Sequence, residues 1–168
     1  MTILTAVLLC VCAQEKMDNP QYTYWKSFKP GAWVKHKMVM ETAGRTIVTE
    51  MVTTLTEVNP ENVLIEVKTT IDMGIRKMEQ PVQKKDVPAR IDKKEGQGVL
   101  SEKDETIVID EKSYKCRSYE WEQTQNGQAM KSKGYFCADV PGGTIKSEYT
   151  SANLPKPMVL TLVAFEKK

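Results

Sequence analysis

The sequence predicts a mainly β protein: a single curved antiparallel sheet or incomplete barrel, with a short N-terminal helix packed on the concave face. Almost every segment after residue 30 alternates apolar and polar side chains with a period of two, which is typical of half-buried antiparallel strands. Turn signals separate these segments, and only residues 19–29 have the spacing of an amphipathic helix. A sandwich of two sheets is the alternative architecture.

Composition narrows the classes of function. A chain of 168 residues suits one domain, and 24 Lys+Arg against 22 Asp+Glu leave a formal net charge of +2. Such a charge creates no large basic field, so nucleic acid is not expected as a partner. A single histidine excludes most histidine-based catalytic centres and zinc sites. No apolar run reaches the roughly 18 residues of a transmembrane helix, so no transmembrane segment is expected.

The N-terminus resembles an export signal. Residues Ile3 to Ala13 are apolar and uncharged, and polar residues follow at once. The length of this run and its small final residue are typical of a secretory signal that is cleaved after Ala13. We therefore predict a signal peptide at 1–13, a single antiparallel β domain at 14–168, and an extracytoplasmic location, periplasmic or secreted. A buried N-terminal strand is the alternative.

The first elements of the domain are a helix and a hairpin. Asn19 is a suitable N-cap and Pro20 a suitable first residue for a helix that extends to Lys29. Its aromatic residues lie three positions apart, on one face. The strands on either side of a turn at 43–44 then form a hairpin that places His36 beside Met51.

The later segments are less uniform. Alternation is clearest from Val63 to Ile75, which predicts a long strand with one apolar face. Residues 80–98 are rich in proline, glycine and lysine, which predicts short edge strands and loops. The final run, Met158 to Phe165, is apolar on both faces and predicts a covered strand inside the sheet.

The two cysteines that remain after signal cleavage predict a disulfide. An Asn-Gly pair at 126–127 is a strong signal for a two-residue hairpin loop. With that loop, Cys116 faces Cys137 and Glu120 faces Lys133 across the two strands. A facing pair of this kind brings the Cα atoms to about 4.5 Å, within the disulfide range. A reactive thiol pair is the alternative, although neither cysteine has a nearby group that would lower its pKa.

The motifs of enzymes are missing from the sequence. His36 lies in an apolar row, where a core residue is a better interpretation than a catalyst, and no cofactor or metal site is expected. The apolar row is the more informative feature, because methionine adapts its shape to irregular partners. A tentative face for an apolar ligand comprises Trp25, Phe28, Met38, Met40, Met51, Ile71 and Met73. Plain core packing is the alternative for these residues.

Two stretches resemble a known group of proteins. The first, Tyr24 to Val34, contains an aromatic helix that leads through Gly-x-Trp into a strand, and the second is Val140-Pro141-Gly142-Gly143-Thr144-Ile145-Lys146-Ser147-Glu148. Both are similar to small secreted bacterial β proteins of unknown function, the TapB-like group, and remotely to the lipoprotein carriers LolA and LppX. The resemblance implies an unclosed antiparallel half-barrel with a helical lid over an apolar cavity. It assigns no functional residue.

The sequence therefore predicts an exported, non-enzymatic β protein that binds an apolar or lipid-like ligand in an unclosed barrel. Its expected partners are an apolar small molecule or lipid, or a protein of the cell envelope. The alternative is a cell-envelope scaffold or protein-interaction module with a filled core and no ligand. In that case the exposed sheet edge or the Lys-rich region at 76–94 would carry the function.

Overall fold

The structure is a computed structural model that describes residues 16–42, 44–92, 99–125, 128–151 and 156–168. These residues form one ten-stranded antiparallel sheet, a two-stranded ribbon and a short helix, so the predicted mainly β, one-sheet fold is confirmed. The elements are β1 (Lys16–Asp18), α1 (Pro20–Trp25), β2 (Trp33–Thr42), β3 (Arg45–Val58), β4 (Asn62–Asp72), β5 (Lys77–Glu79), β6 (Gln83–Pro88), β7 (Arg90–Asp92), β8 (Val99–Ile109), β9 (Lys112–Gln125), β10 (Gln128–Phe136), β11 (Thr144–Ser151) and β12 (Met158–Glu166). The predicted signal peptide at 1–13 lies outside the described residues. No helix within the described ranges is long and apolar enough to cross a membrane.

The strand order explains which segments are covered. Strands follow one another across the large sheet in the order β5-β4-β3-β2-β12-β11-β10-β9-β8, and β6 also pairs with β4. β12 lies between β2 and β11, which confirms that the final strand is not an edge. Its two faces are not equally covered, because Leu162 is buried whereas Val163 is 44% exposed. Two short strands fall in the proline-rich region at 80–98, as predicted: β6 pairs with β4, and β7 pairs with β1 in the separate ribbon. β5, just before this region, is a further short strand beside β4.

Helix α1 begins as predicted and ends early. The side chain of Asn19 accepts a hydrogen bond from the backbone N–H of Gln21, so it caps the helix. The helix stops at Trp25 and continues as a turn to Phe28, whereas the sequence predicted helix to Lys29. Pro30 excludes the last predicted residue, Lys29, because a proline disfavours helical geometry in the residue before it. The turn after Trp25 is closed by a hydrogen bond from the backbone N–H of Phe28 to the carbonyl oxygen of Trp25.

The hairpins confirm the predicted registers. His36 faces Met51 across β2 and β3. In the β9–β10 hairpin Lys133 faces Glu120, with 3.4 Å between Nζ and Oε1. The Asn-Gly loop at 126–127 lies outside the described residues, but the strands on either side have the register that it predicts. Each register is fixed because a slip of one residue would move every side chain to the opposite face.

β4 is shorter than its pattern predicted. The strand ends at Asp72, and a tight turn follows in which Gly74 has a φ of +83° and donates its N–H to the Asp72 carboxylate. Met73 and Ile75 therefore lie in this turn rather than on the strand face, and Ile75 is 93% exposed. The apolar alternation continues to Ile75, but the chain can turn before it because Gly74 adopts the positive φ that the turn requires.

The core lies where α1 meets the sheet. Trp25, Val34, Leu55 and Val63 are almost completely buried, and apolar residues from β6, β11 and β12 complete the cluster. Tyr22 donates its hydroxyl proton to the carbonyls of the β3–β4 connection, at 3.0 and 2.9 Å. The helix is thereby held at the end of the sheet that contains this connection.

Candidate ligand-binding surfaces

The two sequence stretches that resemble the TapB-like group meet in space. Gly142 has a φ of +72°, and a Cβ atom there would lie 2.7 Å from the Trp25 ring. Gly143 has a φ of +77°, and a Cβ atom there would come even closer to the ring of Tyr24. Only glycine allows both this backbone conformation and this close approach. The Pro-Gly-Gly turn and the aromatic helix are therefore one packing unit.

The predicted apolar face divides into two parts. Trp25 is 2% exposed and belongs to the core, and Phe28 is half-buried against the same cluster. The remaining strand residues lie farther along the sheet, in paired positions: Met38 faces Thr49, and Thr49 faces Ile71. We call the half-buried strand residues of the predicted ligand face the methionine face; its members are Met38, Met40, Met51 and Ile71.

The methionine face lies away from the helix. From Val34, in the core beside α1, to Met40 is six residues along β2, which corresponds to about 20 Å of extended strand. The backbone of α1 lies close to β4 and β6, at the end that holds the β3–β4 connection. Met73, in the turn after β4, is half-buried as well. The methionine face therefore remains partly open to solvent.

His36 separates the two parts. Its side chain is 8% exposed, and its Nε2–H donates to the carbonyl oxygen of Thr144 at 2.9 Å. Burial lowers the pKa of His36 because a charged imidazole loses its hydration, and the hydrogen bond to Thr144 opposes this only in part. The histidine is thus a satisfied core residue, as its place in an apolar row indicated.

Among the cavities described for this structure, the one with the greatest volume lies elsewhere, and sequence reasoning did not find it. A groove of about 590 Å³ runs between α1 and strands β8–β10. We call it the aromatic groove; it is lined by Tyr24, Asp104, Glu105, Thr106, Lys115, Cys116, Arg117, Tyr119, Phe136 and Ala138. The hairpin register that the Asn-Gly loop predicts also pairs Arg117 with Phe136, but nothing in the sequence indicated that the ring of Tyr24 would stack on Phe136.

Aromatic contacts and ion pairs organise this groove. The rings of Tyr24 and Phe136 are stacked with centroids 5.9 Å apart, and Tyr119 meets Phe136 edge to face at 5.8 Å. Burial, and then the proximity of Tyr119, raise the pKa of Tyr24, so its hydroxyl stays protonated at neutral pH. Arg117 forms ion pairs with Glu102 at 3.0 Å and with Asp104 at 3.2 Å.

A polar network lies beside the groove. The hydroxyl of Ser118 donates to Glu105 at 2.9 Å, and the Lys133 ammonium lies 3.4 Å from the same carboxylate. The hydrogen bond from Ser118, followed by the charge of Lys133, lowers the pKa of Glu105. These groups satisfy one another, which leaves none of them poised as an acid or base. In the described part of the chain, no group of three or more His, Cys, Asp or Glu is placed to hold a metal ion.

Cys116 and Cys137 are free thiols in the structure, so the disulfide predicted between them is not formed in it. Cys116 and Cys137 are buried in the same cluster, and the thiol of Cys116 donates to the carbonyl of Glu105. Cys137 lies one residue past the end of β10, whose pairing with β11 shifts at Phe136, so strand pairing alone does not fix its position. Burial and the neighbouring Cys137 raise the pKa of Cys116, which disfavours the reactive thiolate. The disulfide stays a prediction for the oxidised protein.

No protein-family model matches the sequence, and no curated protein matches it significantly. The likeness to the TapB-like group and to the lipoprotein carriers therefore stays a prediction from two short motifs. Function has to be inferred from the surfaces of the molecule.

Proposed function

We propose that the protein is an exported, non-enzymatic binding protein that holds an apolar or lipid-like ligand against its open sheet. The observation that carries this proposal is the methionine face, whose apolar side chains lie on neighbouring strands and remain half-buried. Apolar side chains that cluster on one face of a sheet and stay partly exposed can form a binding site. Methionine suits the role because its flexible thioether adapts to ligands of irregular shape.

The position of the helix supports an open surface rather than an enclosed pocket. Trp25 packs on Gly142 and is unavailable to a ligand, because its ring is 2% exposed. None of the cavities described for this structure has a residue of the methionine face in its wall. The ligand would accordingly lie along the sheet with one side toward solvent, which suits an acyl chain.

A fluorescent fatty acid, dansyl-undecanoic acid, tests this proposal. We expect saturable fluorescence enhancement with the wild-type chain and at least tenfold weaker binding by the double variant Met38→Gln, Met51→Gln. Glutamine has nearly the size and shape of methionine, so the variant removes apolar contact area without removing volume. Full burial of a methionine side chain contributes about 1.5–3 kcal/mol, and we expect each substitution to remove about half of that from the free energy of ligand binding.

The matched control is Met17→Gln, because Met17 lies on the separate ribbon and is 44% exposed. This variant should bind within twofold of the wild type. An absence of binding by the wild-type chain, or equal affinities for all three proteins, would contradict a ligand on the methionine face.

A protein-interaction module with a filled core is the second candidate. The observation in its favour is the dense packing beside α1, where Leu55 and Val63 have no exposed surface and Trp25 almost none. Native mass spectrometry of protein purified from its own host separates the two candidates. A mass without bound ligand, together with no uptake of the fatty-acid probe, would favour the interaction module.

A further inference from the structure

The methionine face belongs to a larger apolar surface that crosses five strands. Met78 of β5 faces Ile71, and Leu160 of β12 faces Met38. Thr49 lies between them, opposite both Ile71 and Met38. Directly opposed residues share a face of the sheet, as do residues two apart on one strand. We call this set the five-strand surface; it consists of the methionine face together with the half-buried Ile47, Met78, Met158 and Leu160.

The register keeps almost every charged side chain away from the five-strand surface. In β2, β3, β4, β5 and β12, every Asp, Glu, Lys and Arg except Arg45 lies on the opposite face. Arg45 begins β3 and lies two residues before Ile47, so the two residues share a face. Its side chain is exposed. One guanidinium is therefore the only full charge on this face of the five strands.

The two ends of the five-strand surface differ in chemistry. At one end Met51 faces His36, which is 8% exposed and adjoins the core beside α1. At the other end β3 begins with Arg45, which is open to solvent. The distance from Arg45 to Met51 is six residues along β3, which corresponds to about 20 Å of extended strand. The surface therefore extends from a closed apolar end to an open cationic end.

Other charged groups at the open end have opposite charges beside them. The Nζ atom of Lys156 lies 2.7 Å from a carboxylate oxygen of Glu41. Lys77 faces Asp72 across β4 and β5. Arg45 forms no ion pair with any residue of the described ranges. Its guanidinium is therefore available to an anion from outside the chain.

A guanidinium at this place favours a particular head group. Arginine binds carboxylate and phosphate groups through two parallel N–H···O hydrogen bonds, and such charge-assisted bonds are stronger than neutral ones. Arg76 is exposed in the turn after β4, at the same end of the sheet, and adds a second positive charge. Glu79 lies on the other face, where it is opposite Thr70. Charge complementarity at the open end thus selects an anion.

We propose that the ligand of the methionine face is an amphiphile with an anionic head group, whose chain lies along the five-strand surface and whose head group binds Arg45. This inference rests on the proposed function and deepens it, because it specifies the head group and the direction of the chain. The chain end points toward His36 and the core, where it loses contact with water. The head group remains at the open end, where its charge keeps part of its hydration.

The first test titrates dansyl-undecanoic acid into charge-reversed variants at physiological ionic strength. Binding should be at least tenfold weaker for Arg45→Glu, because attraction of the carboxylate becomes repulsion. Lys68→Glu is the matched control, since Lys68 is an exposed cation of β4 on the opposite face and the net charge changes equally. It should bind within twofold of the wild type, because charges are screened over about 8 Å. Equal loss in both variants would overturn the proposal, because net charge alone would then explain it.

The second test changes the ligand instead of the protein. The primary amide of dansyl-undecanoic acid has the same chain and a neutral head group. The wild type should bind the amide at least fivefold more weakly than the acid, whereas Arg45→Gln should bind the two probes within twofold of each other. Equal affinities of the wild type for both probes would overturn the anionic head group and leave the proposed function standing. No binding of either probe by the wild type would contradict the proposed function, and this inference with it.

Discussion

Gly142 gives the sharpest test of how the fold is held together. Replacing it by alanine places a methyl group where the backbone has a φ of +72°, which costs about 1–2 kcal/mol for a residue with a side chain. The new Cβ would also lie 2.7 Å from the ring of Trp25, which cannot move aside easily because it is 2% exposed. Overpacking of this kind costs roughly 1–3 kcal/mol. We therefore expect Gly142→Ala to lower the free energy of unfolding by about 2–5 kcal/mol.

The chain offers a control that separates these two effects. Gly74 has a φ of +83°, but nothing lies within 4 Å of the position its Cβ would take. Gly74→Ala should consequently show the backbone cost alone, reduced by the smaller entropy of the unfolded chain. Urea unfolding followed by tryptophan fluorescence measures both variants, and their midpoints should differ by roughly 1 M. Equal destabilisation by the two substitutions would refute the view that the helix and the Pro-Gly-Gly turn form one tightly packed unit.

Three further predictions follow from buried groups. Burial lowers the pKa of His36, so as the pH falls the unfolded chain takes up a proton before the folded chain does. The contribution of His36 to the free energy of unfolding should therefore be full above about pH 6.5 and decrease below it, by at most ~1.4 kcal/mol per pH unit. Urea unfolding at several pH values should show this decrease for the wild type and not for His36→Gln, and identical profiles would contradict the prediction. Leu55→Ala should lower the free energy of unfolding by about 2–5 kcal/mol, since Leu55 has no exposed surface. The control Val108→Ala should lower it by less than about 0.5 kcal/mol, because Val108 is 66% exposed. Similar midpoints of urea unfolding for the two variants would be inconsistent with the core described above. In the reduced protein, Cys116 and Cys137 should react with a thiol reagent only after urea unfolding, because both are buried and the pKa of Cys116 is raised. Rapid reaction in the folded protein would show that the core around these two cysteines is open to solvent.

The periodicity of side chains predicted much of the fold. It identified the antiparallel sheet, the register that sets His36 beside Met51, and the position of β12 inside the strand order, and the residue type of Asn19 identified the cap of the helix. These features depend on residues that are close in the sequence or on the pairing of one strand with the next. The two-residue alternation and the residue types at the turns indicate such local features. The early end of β4 at Asp72 depended on Gly74, whose effect the apolar pattern concealed, whereas α1 ends at Trp25 although the aromatic spacing continues to Phe28.

The candidate sites depended on contacts that no local pattern contains. The sequence could indicate an apolar row with several methionines, but only the tertiary structure decided that α1 covers the core end of the sheet and leaves the methionine face partly open. It could place Arg117 beside Phe136, yet the groove exists because Tyr24, more than a hundred residues away in the chain, stacks on that ring. Strand registers follow from short-range pairing, whereas the surface that remains free follows from how one helix packs across many strands, and that is decided by three-dimensional packing alone.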